Sequence, residues 1–238
     1  MFGCSSSQTT EAVPTYVGEI RGRATIQVTL TEVLQPIGIT VVLDTGSQQT
    51  TTDSDGNWSF VNVPVGTHEV LVSKNGFGQE ELYNIQVAPG GIALAPQADL
   101  CPAPTQHVHI DSVLLMDSTP PLPTNTQWYI IFTHDTGAQG IAVFLDSTPN
   151  AAPTDEHIFS DVNGGNLGQT NSYSNNFSFL LSLIHHGYHS GAKLYLSACI
   201  FNGLLQGYGV GSYYDPAVDQ ERVVAAGPKS NVVVFTMP

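Results

Sequence analysis

Histidine supplies the densest group of chemically capable side chains in this sequence. His107-Val-His109 and His185-His186-Gly-Tyr-His189 lie in the second half of the chain, with His134 and His157 in the same half. On a β-strand His107 and His109 project to one face, and two neutral imidazoles there offer nitrogen lone pairs to zinc or copper. Spacing fixes no carboxylate or third ligand beside them, so exposed strand histidines are the plainer reading. A metal-binding protein or metalloenzyme using His107, His109, His185, His186 and His189 is an alternative function and not the leading one.

Two other groups of residues invite chemistry. Asp53-Ser-Asp55-Gly56-Asn57 has the oxygen-rich look of a calcium loop, but an EF-hand needs a Glu at its twelfth position. Counted from Asp53, that position holds Pro64. A tight turn accounts for the segment. Tyr173, Tyr188, Tyr208, Tyr213 and Tyr214 sit among Gly, Ser and Asn. That composition suits stacking on sugar rings or packing on another protein, and it defines a second alternative, a glycan-binding module. Asp215, Asp219 and Glu221 near Tyr213-Tyr214 read as solvated turn residues. The sequence has no Gly-x-Ser-x-Gly elbow, no His-Glu-x-x-His and no phosphate loop. The expectation is a protein that is not an enzyme and carries no cofactor.

Composition narrows the partners. Six Lys and Arg face 20 Asp and Glu in 238 residues, a formal net charge of −14. Phosphate backbones and anionic lipid repel such a chain, so nucleic acid is excluded as a partner. Charged residues are 11% of the sequence, which leaves few of the straight-chain residues that fill exposed helix faces. An all-β chain of two domains is the expectation. No run approaches the 18 or more apolar residues of a membrane span.

Period-two alternation first appears at Ala24, Ile26, Val28 and Leu30. Short apolar runs follow at Ile39-Leu43, Asn57-Val63, His68-Ser73 and Leu82-Val87, separated by Asp, Gly, Asn and Pro turns. Strands at this spacing predict a sandwich or barrel. The segment from Ala88 to Pro104 has four prolines and little periodicity, and is predicted to be a linker. In the second half, His107-Met116, Trp128-Thr133, Ile141-Leu145, Lys193-Ile200, Arg222-Ala226 and Asn231-Met237 read as strands. His134-Gly140 has hairpin chemistry. Asp146-Asn176 reads as a long surface excursion, and Phe177-Ile184 fits a short helical face. No internal repeat is found.

Ile39-Thr-Val-Val-Leu43, Thr52-Asp53-Ser-Asp-Gly56-Asn-Trp-Ser-Phe60, Val63-Pro64-Val-Gly66 and Val70-Leu-Val-Ser-Lys74-Asn-Gly76-Phe77 together resemble carboxypeptidase-regulatory-like domains. The resemblance spans about Val17 to Leu100. It implies a transthyretin-like β-sandwich in which Asp53-Phe60 is a tight turn feeding a core strand and the Pro-x-Gly segment is the next hairpin. Such domains are mostly accessory, so architecture is implied more than chemistry. More weakly, the second half resembles an immunoglobulin or fibronectin type III sandwich. Gly191 to Gly203 has the shape of the strand that carries a tyrosine corner, with Tyr195 in place. The expected organisation is a tether over 1–15, a first β-sandwich over 16–100 and a second over 101–238.

Met-Phe-Gly-Cys4-Ser-Ser-Ser resembles the end of a bacterial lipoprotein signal and the mature N-terminus that follows it, which implies lipidation at Cys4. Cys101 and Cys199 would then form an even pair that an oxidising compartment could join. The leading expectation is a non-enzymatic, extracellular or outer-membrane surface protein with a structural or adhesive role. Its partners would be other surface proteins or copies of itself, with glycans under the alternative reading, and it would touch membrane only through a lipid anchor.

Overall fold

The computed structural model describes residues 16–28, 32–116, 127–136, 140–149, 159–164, 170–175, 187–202, 212–217 and 219–237. All regular structure among them is β. The first sandwich is built from β1 (Val17–Gln27), β2 (Val33–Leu34), β3 (Thr40–Leu43), β4 (Gln48–Thr51), β5 (Asn57–Pro64), β6 (Gly66–Ser73), β7 (Gln79–Val87), β8 (Ile92–Leu94) and β9 (Ala98–Leu100). Alternation along β1 buries Ile20, Ala24 and Ile26 and leaves Arg21 and Arg23 in water. β1 is the hub of one sheet, antiparallel to β2 and β5 and parallel to β8 and β9. The facing sheet runs β4-β3-β6-β7. Between them lies a core that includes Val41, Leu43, Trp58, Phe60, Val70 and Val72.

The turn from Asp53 to Asn57 feeds Trp58 and Phe60 into that core, as the family resemblance implies. Its geometry demands glycine at one point: Gly56 has φ of 83°, and a Cβ there would lie 2.2 Å from the carbonyl oxygen of Ala24. The supposed linker is part of this sandwich. Ile92–Leu94 and Ala98–Leu100 add to β1, and Ala98, Leu100 and Cys101 are fully buried. Prolines at the ends of three-residue edge strands interrupt sequence periodicity without interrupting the sheet, which is why the segment reads as irregular.

The second sandwich pairs β10 (Val108–Met116), β11 (Gln127–His134) and β14 (Thr170–Asn175) in one sheet. The other holds β12 (Gly140–Asp146), β13 (Phe159–Gly164), β15 (Lys193–Phe201) and β18 (Val233–Thr236) in the order β13-β12-β15-β18. Ile110, Ile130, Phe132, Ile141, Val143, Leu145, Leu196 and Ile200 fill the space between the sheets. β12 is buried at every position, and a second cluster of Ala142, Phe144, Cys199, Phe201 and Val223 packs on its other face. A sheet covered on both sides reads as a continuous apolar run instead of an alternating one.

Two loop expectations for this half are corrected. The interval His134-Gly140 is not a hairpin, because β11 and β12 belong to different sheets. Within Asp146-Asn176, β13 and β14 pair with β12 and β11. Their sequences, Phe-Ser-Asp-Val-Asn-Gly and Thr-Asn-Ser-Tyr-Ser-Asn, are polar enough to pass for loop. The helical face expected at Phe177-Ile184 lies outside the described residues.

A last hairpin, β16 (Ser212–Asp215) with β17 (Gln220–Val223), ties the sandwiches together. Val224 and Ala225, directly after β17, are members of the first sandwich's core at 3% and 2% exposure. The Gln79 backbone N–H donates to the Val224 carbonyl at 2.8 Å, and the Ala103 N–H donates to the Gly76 carbonyl at 2.9 Å. Contact at this seam is too close for any side chain at Gly78: its φ is 75°, and a Cβ would sit 2.0 Å from the Val224 oxygen.

That approach makes Gly78 sensitive to one added methyl group. Gly78→Ala must either strain its left-handed backbone or push Val224 out of the first core, and should lower stability by about 2–4 kcal/mol in urea unfolding. Limited proteolysis should cut the variant within the Val224–Gly227 segment well before the wild type. Equal stability and equal protection would show that the seam is loosely packed.

Candidate functional site

Each residue singled out by type can now be placed. The Asp53 carboxylate is occupied inside its turn: Oδ1 accepts the backbone N–H groups of Asp55 at 2.9 Å and Asn57 at 2.8 Å. Oδ2 accepts the Asn57 amide at 3.4 Å. These bonds, the Asn57 backbone first, hold the carboxyl below its ordinary value. It closes the turn, as the sequence reading expected.

His107 and His109 flank Val108 at the start of β10, with side chains 72% and 63% exposed. Asp135, just past β11, binds His107 twice, accepting its backbone N–H at 2.8 Å and facing Nδ1 at 3.3 Å. His109 Nδ1 lies 3.1 Å from Asp111, whose other oxygen accepts the Thr133 hydroxyl at 2.6 Å. His189 is exposed elsewhere in the fold. His185 and His186 lie outside the described residues, as does His157. Among the described residues no group of three or more His, Cys, Asp and Glu is arranged to enclose a metal.

The tyrosines divide. Tyr188 is buried in the second core, and Tyr213 packs against the first. Burial pushes the Tyr213 phenol up to about 12. Tyr214 is 59% exposed and donates its hydroxyl to Asp219. Tyr173 lies on β14 opposite Ile130, and Tyr208 is outside the described residues. Cys101 and Cys199, read as a disulfide candidate, are free thiols in different apolar clusters, and burial pushes each up to about 12. Cys4 falls outside the described residues.

The strongest electrostatics lie at the seam, where Asp215, expected from the sequence to be a solvated turn residue, is buried. Glu80 is registered opposite the buried Val72 and accepts the Asp99 backbone N–H at 2.8 Å. Burial, and then the Asp99 charge, push its carboxyl up to about 7 against that hydrogen bond. Burial also raises Glu69, with Glu81, Asp44 and Asp215 adding to it. Asp215, 6% exposed, pairs with Arg222 at 3.1 Å. Tyr83 donates to Glu81 at 2.8 Å. The seam thus sets Glu80, Glu81 and Asp215 around Tyr213, with Asp99 beside Glu80 and Arg222 paired to Asp215. Gln79-Glu-Glu-Leu82 is an ordinary exposed-looking run, and nothing in it reveals that the β16–β17 hairpin covers it.

His68 was read only as part of a strand. It is 8% exposed, with Nδ1 3.0 Å from Asp44 and Nε2 2.8 Å from the Pro64 carbonyl. It staples the β3–β4 turn to the β5–β6 turn.

The described residues therefore offer two chemically distinct places, the histidine–carboxylate end of β10 and β11 and the acidic seam. Comparison with known proteins places the first sandwich: residues 20–96 match the family model of the carboxypeptidase regulatory-like domain. No curated protein matches the chain. Among solved structures, a DUF3823 family protein from Parabacteroides merdae aligns over 94% of this chain and 100% of its own, at 11% identity and a TM-score of 0.33. The minor pilin of Streptococcus agalactiae aligns over 38% of this chain and 47% of its own, at 11% identity and 0.30. The full-length major pilin SpaD of Corynebacterium diphtheriae aligns over 92% and 67%, at 10% identity and 0.28.

Glu80 has a pH signature of definite sign. A carboxyl raised to about 7 in the folded chain from an ordinary value of 4.5 favours folding in its protonated form. Its contribution is complete below pH 4.5 and is lost as pH rises through about 7. Glu80→Gln, which keeps an acceptor for the Asp99 N–H, should therefore be more stable than wild type at pH 8 by about 1–3 kcal/mol and nearly equal to it at pH 5. Urea unfolding at the two pH values measures the difference. The same gap at both would place Glu80 in water.

Proposed function

We propose that this chain, whose residues 20–96 match a carboxypeptidase regulatory-like domain, is a non-enzymatic structural module of a bacterial cell surface. In this reading the two sandwiches act as one rigid body that spaces or displays other surface components. The observation that carries it is the seam: Val224 and Ala225 of the second unit lie within the first unit's core. A shared apolar core resists hinge motion, as a spacer requires and as a pair of catalytic domains closing on substrate does not.

Three further features support the reading. Asp44, Asp53, Asp111, Asp135 and Asp146 are engaged by turn and strand-end groups or by neighbouring side chains, as structural carboxylates are. A charge of −14 with 11% charged residues suits a protein that meets neither nucleic acid nor bare anionic lipid. Cys4, followed by Ser5, Ser6 and Ser7, is the residue suited to carry a lipid, with the Ser/Thr-rich stretch as spacer. The partners are then other surface proteins or further copies of the chain.

Expression with the native upstream signal tests compartment and anchor together. Wild type should sediment with membranes and be digested when intact cells are treated with protease, and Cys4→Ser should move to the soluble fraction. Protection of the wild type in intact cells, with loss only after lysis, would sink the surface reading. Equal partitioning of the two variants would remove the lipid anchor alone.

A further inference from the structure

We propose that His107 and His109 form an open, two-imidazole site for a late first-row divalent metal, Cu²⁺ or Zn²⁺, at the start of β10. His107 directly precedes β10 and His109 is its second residue; Val108 and Ile110 are buried while both histidines are exposed, so the two side chains share the outer face. Each imidazole has its Nδ1 engaged by a different carboxylate, Asp135 at 3.3 Å and Asp111 at 3.1 Å. Asp135 also accepts the His107 backbone N–H and Asp111 also accepts the Thr133 hydroxyl, so both carboxyl groups stand as acceptors toward the rings. Nδ1 must then carry the proton in each neutral ring. The lone pair is then left on Nε2.

A metal ligand is oriented in the same way by donating its second ring N–H to a carboxylate, which fixes the tautomer and raises ligand basicity. Here the arrangement occurs twice, on adjacent same-face residues. The backbone beneath is also held. Asp135 exchanges main-chain and side-chain bonds with His107, and the Asn231 amide brackets Ile110, donating to its carbonyl at 2.9 Å and accepting its N–H at 2.8 Å. Imidazole nitrogen suits copper and zinc over magnesium or calcium. The two nearby carboxylates and the chain's overall negative charge favour a dication. Two protein ligands leave the remaining positions to water, so the site binds without enclosing the ion.

Calorimetric titration of the full chain, free of any affinity tag, with CuSO₄ alone at pH 7.5 tests the site. One tight equivalent should appear in wild type. It should weaken at least tenfold in His107→Ala/His109→Ala and by roughly tenfold or more in Asp111→Asn/Asp135→Asn. His185→Ala/His186→Ala should retain it. The copper-loaded wild type should show hyperfine splitting from two imidazole nitrogens in electron paramagnetic resonance. Unchanged melting temperatures in EDTA certify that the variants are folded. The proposal is overturned if wild type takes up no tight equivalent, if His107→Ala/His109→Ala binds as wild type does, or if the equivalent disappears with His185 and His186.

Discussion

The burial of Val224 and Ala225 in the core of the first sandwich is the contact on which the rest of the architecture depends. Fully burying a valine is worth about 1.5–3 kcal/mol, a substantial share of the stability of an ordinary domain. Here that share is held by residues more than 120 positions from the strands they cover. The second unit cannot leave without exposing the first unit's core, and it cannot rotate without breaking the bond from Gln79 to Val224. Every polar feature of the seam follows from this. Glu80 is pushed toward neutrality because the strands around it are covered, and Asp215 can be buried because Arg222 on the same hairpin is buried with it.

Much of the first sandwich was legible in the sequence. The Asp53-Phe60 turn, the Pro64-Gly66 corner and the alternation of β1 each have a local cause, in hydrogen bonds and glycine conformations within a few residues. Ile92–Leu94 and Ala98–Leu100 were not legible, since a three-residue strand between prolines has too short a period to register and is defined by the partner it joins. In the second half the continuous apolar runs of β12 and β15 were read as strands. Their being covered on both faces, by β10 and β11 on one side and by Val223 on the other, is a tertiary fact. β13 and β14 were missed because their residues are those of loops.

The functional residues show the same division. His107 and His109 were visible through spacing alone, but the carboxylates that orient them come from Asp111, displaced by the bulge between Ile110 and Ser112, and from Asp135 on the next strand's exit. Neither can be deduced from intervals along the chain. The tyrosine cluster shows the opposite case. Its composition does not separate Tyr188 and Tyr213, which pack in or against the cores, from the exposed Tyr214, since a phenol ring fills a corner of a core as readily as it stands in water. Glu80 and His68 gave no signal at all, because their roles depend on what covers them.

The Asn231 amide, which brackets the Ile110 backbone, has a consequence for how the molecule meets its own kind. An outer strand normally presents a row of open amide and carbonyl groups on which another chain can zip itself. By answering both groups of Ile110 with one side chain, Asn231 plays the part of a neighbouring strand a single residue long. It blunts that margin of the second sandwich against recruitment while leaving the side-chain face free. Crowded copies of the chain would therefore find β10 interrupted at Ile110 as a template for fibrous growth.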